Sequence, residues 1–147
     1  MLKQKLLFII GLMTFLIADP PDWNVNPGDF EHAMYLTARV YDAGGIDELA
    51  NSESILAAFH NGAQRGVASA SEIPYFFGGG YAFLMTIYSN HDLLNEEIEF
   101  QYWYDYIDEL FPISETVYFI PDAVIGDLTS PFTLSIIDEE ENNSPPT

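Results

Sequence analysis

Cysteine is absent from this chain. A secreted domain of this size often relies on disulfides, so without them stability must come from a buried core, from bound ions or from association. The same absence excludes a cysteine nucleophile. Hydrophobic residues make up 48% of the sequence and aromatic residues 15%. This composition predicts a packed domain and not a disordered acidic chain.

Basic residues are also scarce, with four lysines and arginines against 23 aspartates and glutamates. Two of the four, Lys3 and Lys5, precede an apolar run over residues 6–17 that is followed by Ala18. This order is typical of a secretory signal peptide, and the run is too short to span a bilayer. We therefore predict that residues 1–18 are removed and that the protein is secreted, to the extracellular space or the cell surface.

Cleavage takes the formal charge from −19 to −21, because Arg39 and Arg65 are then the remaining basic residues. A field of that sign repels nucleic acid and anionic lipid, so we expect neither as a partner. The same field attracts cations, and it also keeps a protein soluble outside the cell.

The rest of the chain divides into a long apolar-rich part and a short polar end. Residues 19–137 are sufficient for one domain with a single core. Residues 138–147, with the sequence DEEENNSPPT, contain no apolar anchor. This composition predicts that residues 138–147 form a flexible acidic tail.

Alternation of apolar residues with a period of two dominates the domain. Over residues 30–41 it places Met34, Leu36, Ala38 and Val40 on one face. Further strands are predicted at 55–60, 63–68, 81–88, 97–106, 115–120 and 131–137, with a short extended piece at 124–128. About seven to nine short strands without a long amphipathic helix predict an all-β fold, an antiparallel β-sandwich or jelly roll.

An Asn-Gly pair at 61–62 is a strong hairpin signal, because both turn positions favour a positive φ. With a two-residue turn, Ala58 is expected opposite Arg65. Neither face of this hairpin is clearly polar, so we predict a partly buried guanidinium held by a carboxylate. Glu72 and the acidic residues of the 42–53 loop are the candidates for a structural ion pair with Arg65. The alternative is that Arg65 binds a ligand.

Catalytic motifs are missing from the sequence. The three histidines, His32, His60 and His91, occur in no H-E-x-x-H pattern or other close zinc spacing. There is also no G-x-S-x-G elbow and no P-loop. With 23 acidic residues, many pairs of carboxylates could be chosen as the two catalytic groups of a glycoside hydrolase, so such a pair is no evidence for that activity. We therefore predict a protein that is not an enzyme.

Two acidic loops are candidates for binding Ca²⁺, which prefers oxygen ligands and is plentiful outside cells. The candidate ligands are Asp42, Asp47, Glu48 and Glu53 in the first loop and Asn90 and Asp92 in the second. No EF-hand spacing is present, so this hypothesis depends on composition. The alternative is a pair of solvated acidic loops that hold no ion.

Two aromatic groups are candidates for contacts with a ligand or a partner. If Tyr102 and Tyr104 point into the core, Trp103 faces outward, where an indole could bind a sugar or anchor a protein contact. The alternative is that Trp103 packs inward between two sheets. The second group is Tyr75, Phe76 and Phe77, which precede three glycines and are expected on a mobile loop at an interface.

Several blocks of the sequence share a pattern with a known type of module. The blocks are Trp23-Asn24-Val25-Asn26-Pro27 with Phe30, Met34 and Thr37-Ala38; Ile55-Leu56-Ala57-Ala58-Phe59 with Gly62; Arg65-Gly66-Val67-Ala68; and Thr86-Ile87-Tyr88-Ser89-Asn90. Over nearly all of residues 22–137 the chain resembles a secreted bacterial β-sandwich module of extracellular and cell-surface proteins, often found beside a C-terminal sorting domain. The resemblance implies a non-enzymatic β-sandwich for surface display, adhesion, carbohydrate contact or fibre building.

Two functional hypotheses follow from the sequence. The first is an extracellular structural subunit that self-associates into a filament or surface layer, with Ca²⁺ relieving repulsion between acidic neighbours. The second is a carbohydrate-binding or adhesion module that uses Trp103 and nearby tyrosines, with glycans as partners.

Overall fold

The computed structural model describes residues 18–91 and 95–138. The predicted signal peptide apart from Ala18, the predicted tail apart from Asp138, and the calcium candidate Asp92 lie outside these residues. The strands are β1 (His32–Tyr41), β2 (Ile55–His60), β3 (Ala63–Ser69), β4 (Ser71–Glu72), β5 (Tyr81–Ser89), β6 (Glu97–Tyr104), β7 (Glu109–Pro112), β8 (Val117–Tyr118), β9 (Val124–Ile125) and β10 (Phe132–Ser135). Three short 3₁₀ turns occupy Pro27–Asp29, Tyr75–Phe77 and Asp105–Ile107.

The strands form two sheets that pack against each other across the core. In the first sheet the order is β10-β1-β5-β4, with β9 also paired to β1; in the second it is β3-β2-β6-β7, with β8 also paired to β6. The predicted all-β sandwich is confirmed. Most pairings are antiparallel, whereas β9 and β10 run parallel to β1. The short strands β4 and β7, which the sequence pattern did not indicate, raise the count to ten in the described residues.

The core lies between the sheets and follows the predicted alternation. Met34, Leu36, Ala38 and Val40 of β1 are all buried, as expected. They belong to one cluster with residues of β5 and the second sheet, including Phe83, Met85, Ile87, Leu56, Ala58, Ile98, Phe100 and Tyr102. Burial of these apolar side chains is the main stabilising contribution to the fold.

Both long sides of the sandwich are closed by contacts between the sheets. On one side β3 approaches β5 at Gly66, where a Cβ atom would lie 2.8 Å from the backbone oxygen of Thr86. The chain then continues into β4, which pairs with β5, so adjacent segments belong to different sheets. On the other side, Ile113 and Ile136 form an antiparallel bridge.

The two ends of the sandwich differ in chemistry. One end, called here the apolar end, carries the loops 42–54 and 73–80, the β6–β7 connection and the C-terminal end of β10. The other, the ion-pair end, carries the β2–β3 turn and the β5–β6 connection. In the β2–β3 turn, Asn61 and Gly62 have φ values of 48° and 81°, which confirms the predicted two-residue hairpin turn.

Candidate contact surface and ion-pair cluster

Seven large apolar side chains are exposed at the apolar end. They are Ile46, Tyr75, Phe76, Phe77, Tyr106, Ile107 and Leu110. Tyr75 and Phe76 are 95% and 80% exposed. Exposed apolar patches on soluble proteins mark sites of contact with other molecules, so this end is the candidate contact surface.

The most exposed of these side chains lie in the aromatic loop, residues 74–80. The backbone N–H groups of Phe77 and Gly78 each donate a hydrogen bond of 2.9 Å that closes a single 3₁₀ turn. Gly78 then adopts a φ of 103°, which only glycine reaches without strain. The rings of Phe76 and Phe77 contact each other with centroids 4.6 Å apart. The loop therefore has a defined turn geometry and presents its aromatic rings to solvent.

A partly buried ion pair supports the base of the aromatic loop. Arg39 Nη1 lies 2.9 Å from Glu48 Oε2, and the arginine side chain is 8% exposed. Glu48 Oε1 also accepts a hydrogen bond of 3.0 Å from the backbone N–H of Tyr81. Gly80 packs against this pair, since a Cβ atom there would lie 2.9 Å from Arg39 Nη1 and 2.8 Å from Glu48 Oε1. Charge-assisted hydrogen bonds thus fix the point at which the loop joins β5.

Candidate calcium ligands of the first acidic loop are used in bonds within the protein. Asp42 Oδ1 accepts the backbone N–H groups of Ile46 and Asp47 at 2.9 and 3.3 Å, and Glu48 belongs to the ion pair. The side chains of Asp47 and Glu53 are exposed. In the described part of the chain, no three histidine, aspartate or glutamate side chains form a group that could hold a metal ion.

In the second acidic loop, Asn90 joins two parts of the backbone. Its Oδ1 accepts the N–H of Glu31 at 2.9 Å, and its Nδ2 donates to the backbone oxygen of Asp29 at 3.1 Å. The other candidate ligand, Asp92, lies outside the described residues. Calcium binding by the two loops therefore stays a prediction.

Trp103 does not face solvent, which corrects the expectation of an exposed aromatic platform. Its side chain is 1% exposed. The outward face of β6 was identified correctly, because Glu99 and Gln101 are exposed on it. At Trp103, however, that face is flanked in register by Ile55 on β2 and Leu110 on β7. A tryptophan buried in the middle of a sheet cannot stack on a sugar.

A groove opens beside β7 at the apolar end. It has a volume of about 490 Å³, and its walls include Leu49, Tyr104, Leu110, Phe111, Ile136 and Ile137. The groove lies between the last strand of the second sheet and the C-terminal end of β10 in the first. Nothing in the sequence pattern indicated it, because β7 itself was not predicted.

At the ion-pair end, Arg65 is paired as predicted, but its partner is Glu96 and not Glu72. Arg65 Nη1 and Nη2 lie 3.1 and 2.8 Å from the two carboxylate oxygens of Glu96, a bidentate geometry. Glu72 lies exposed in β4. The 42–53 loop, the other expected source of a carboxylate, supplies Glu48 to the second arginine instead.

A β-bulge determines where the Arg65 side chain points. The pairing of β2 with β3 passes from Phe59↔Gln64 directly to Ala58↔Gly66, so Arg65 is the extra residue. The expected pairing of Ala58 with Arg65 was therefore wrong by one position. Bulges bend a strand and redirect its side chains, and here the guanidinium reaches the β5–β6 connection.

The Glu96 carboxylate, 6% exposed, is the centre of a cluster that joins the two sheets. Besides Arg65, Ser89 Oγ donates to it, and His60 Nε2 lies 3.3 Å from Oε2. The guanidinium also lies 5.8 Å from the centroid of the Phe30 ring. Hydrogen bonds from Arg65 lower the pKa of Glu96 from 4.5 to about 2, although burial acts in the opposite direction; Ser89 and the positive charges nearby add to the decrease.

The lowered pKa of Glu96 predicts a loss of stability in acid. The ionised carboxylate stabilises the fold fully above its unfolded pKa of 4.5, and this contribution is lost as the pH falls from there towards about 2. In Glu96→Gln the contribution is absent at every pH. We therefore expect the difference in urea midpoint between wild type and Glu96→Gln to be large at neutral pH and to shrink below pH 4.5. A constant difference across this range would contradict the assignment.

Comparison with known proteins gives no relative for this chain. No family model matches it, and neither a curated protein nor a solved structure matches it significantly. Among the described residues, no helix has the length and apolar character needed to cross a membrane. The resemblance to a secreted bacterial module stays a prediction that depends on the sequence blocks which suggested it.

Proposed function

We propose that this chain is a secreted, non-enzymatic β-sandwich that acts through contacts, as an extracellular structural subunit whose copies associate through the apolar end into a filament or surface layer. The observation that carries this proposal is the aromatic loop, where Tyr75 and Phe76 are 95% and 80% exposed above a partly buried ion pair. Aromatic side chains are the commonest anchors of protein interfaces. Since the base of the loop is already fixed, burying its rings against a neighbour costs less conformational entropy.

Negative charge opposes association between copies. Acidic residues at the apolar end include Asp42, Asp47, Asp105, Asp108 and Glu109. Both arginines of the described residues are engaged in ion pairs within their own chain, so neither is available to a neighbour. Divalent cations or high salt reduce such repulsion. Association is therefore expected to depend on cations, with Ca²⁺ as the natural extracellular candidate.

We expect the mature protein to sediment as a monomer in EGTA and as larger species when Ca²⁺ is added. Phe76→Ser removes one aromatic anchor, and burying a phenylalanine contributes about 1.5–3 kcal/mol. Association in Ca²⁺ should therefore weaken by at least about tenfold. Sedimentation velocity measures the change, and electron microscopy shows whether the larger species are filaments or layers.

Tyr118→Ser is the matched control for this experiment. Tyr118 is an exposed aromatic residue, 56% accessible, that pairs with Glu97 at the ion-pair end. Its replacement should leave association unchanged. Wild-type protein that remains monomeric with and without Ca²⁺ would contradict the proposal.

Carbohydrate binding or adhesion is the second candidate, and one observation favours it. With Trp103 buried, Tyr75 and Phe76 are the exposed rings best placed to stack on a sugar. Binding to a glycan array that is lost in Tyr75→Ala, by a protein that stays monomeric in Ca²⁺, would favour this function over assembly.

A further inference from the structure

We propose that the groove beside β7 is a docking site for an extended, basic segment of a partner protein, which adds to the second sheet as a further strand. The site uses the β7 edge and the groove, not the aromatic loop. It is thus an additional function of the apolar end, independent of association between copies.

The edge of the second sheet offers free backbone groups to an added strand. β7 is the last strand in the order β3-β2-β6-β7, and on its outer side the described residues pair with it only at its C-terminal end, next to the Ile113–Ile136 bridge. The N–H of Ile113 donates to Phe100 on β6 at 3.2 Å, and alternation along an antiparallel ladder then directs the backbone groups of Leu110 and Pro112 outward. The Pro112 oxygen accepts the N–H of Ile137 at 2.8 Å on that side. The outward N–H and C=O of Leu110 come next along the edge, in position to bind an added strand.

The groove lies where the side chains of an added strand would point. A strand added along β7 directs every second side chain toward the space between the two sheets. There, Tyr104 and Phe111 of the second sheet face Ile136 of the first, around a volume of about 490 Å³. Backbone hydrogen bonds at the edge and apolar pockets for alternate side chains are the two components of strand addition.

The acidic residues around the groove favour a basic partner. Asp108 and Glu109 are exposed at the start of β7, and Asp105 lies in the turn before it. A second copy of this chain carries the same acidic residues. The tail of the chain itself is also acidic, since residues 139–141 are three glutamates. Like charges on neighbouring strands are destabilising. A segment that alternates apolar with basic residues fits this site, because its apolar side chains can fill the groove and its basic side chains can pair with the acidic residues around it.

The test uses fluorescently labelled peptides and the full mature chain in an anisotropy titration. An alternating lysine–valine octapeptide is the probe. An alternating lysine–serine peptide keeps the charge without the apolar side chains, and a glutamate–valine peptide keeps the apolar side chains with the opposite charge. We expect saturable binding of the lysine–valine peptide and at least about tenfold weaker binding of the other two.

Leu110→Pro tests the edge directly. Proline at this position removes the outward N–H but no hydrogen bond to β6, and Pro112 shows that the strand accepts proline at an equivalent position. Leu110→Ser is the matched control, because it also removes the leucine side chain but keeps the N–H. We expect Leu110→Pro to bind the lysine–valine peptide at least about tenfold more weakly than Leu110→Ser, with the two variants melting at the same temperature.

Three results would overturn the proposal. Equal binding of the lysine–valine and lysine–serine peptides would reduce the interaction to charge alone, and equal affinity of the two Leu110 variants would exclude strand addition. Binding that appears only after deletion of residues 139–147 would make the chain's own tail the occupant of the edge. Phe76→Ser should leave peptide binding intact, so failure of self-association and failure of this site are distinguishable.

Discussion

Arg65→Met is expected to lower the free energy of unfolding by about 3–5 kcal/mol, because it leaves the buried Glu96 carboxylate without its bidentate partner. Ser89 and His60 still contact the carboxylate, but neither carries a permanent positive charge. Urea unfolding at neutral pH measures the loss. An effect of this size is a large part of the total stability of an ordinary domain.

A second substitution tests whether the loss comes from the unpaired charge. In Arg65→Met with Glu96→Leu, neither charge of this pair remains, and replacing a buried ion pair by apolar residues is often nearly neutral. The double variant should therefore be more stable than Arg65→Met alone. Glu99→Gln, on the exposed face of β6, is the control for removing an ordinary surface carboxylate and should change little. Equal stability of wild type and Arg65→Met would show that the pair contributes nothing.

Gly126→Ala is expected to destabilise the fold by several kcal/mol. Gly126 has a φ of 72°, a conformation that costs an L residue about 1–2 kcal/mol. A Cβ atom would also lie 2.4 Å from the backbone oxygen of Thr37 and 2.8 Å from the backbone nitrogen of Phe132. Relieving such a contact requires a shift of β1 or of the segment entering β10, at a further cost of about 1–3 kcal/mol.

Gly79→Ala separates the two contributions. Gly79 has a φ of 65°, similar to that of Gly126, but nothing lies within 4 Å of a Cβ atom built on it. The free energy of unfolding of this variant should therefore fall only by the cost of the backbone conformation. The difference between the two variants measures the close approach of Gly126 to the backbones of β1 and β10. If Gly126→Ala and Gly79→Ala are equally stable in thermal unfolding, that approach has no energetic role.

Much of the fold could be predicted because alternation reports directly on which residues face the core. Met34, Leu36, Ala38 and Val40 were placed inside on that basis alone, and all are buried. The Asn61-Gly62 turn was equally predictable, since few other residue pairs accept two positive φ angles. The short strands β4 and β7 were not, because segments of two to four residues are too short for a pattern with a period of two.

The residues of the candidate sites were harder to predict, since their environment depends on contacts between distant segments. Alternation correctly placed Trp103 on the outward face of β6, but it cannot show that Ile55 and Leu110 flank that position. It also gave no sign of the bulge at Arg65, which carries the guanidinium to Glu96, 31 residues away along the chain. Tyr106 and Ile107 did carry a signal, because apolar residues between Asp105 and Asp108 are unexpected in a solvated turn.

The burial of both arginines has a consequence for resistance to proteolysis. Trypsin-like proteases cleave after lysine or arginine, and residues 18–138 contain only Arg39 and Arg65 as such sites. Each lies within a β-strand, and each side chain is held by a carboxylate. A protease must bind its target as an extended, accessible segment, so cleavage at either site has to wait for the sandwich to open. The same two ion pairs that position the aromatic loop and join the sheets thus shield these two bonds from trypsin-like proteases for as long as the sandwich stays closed.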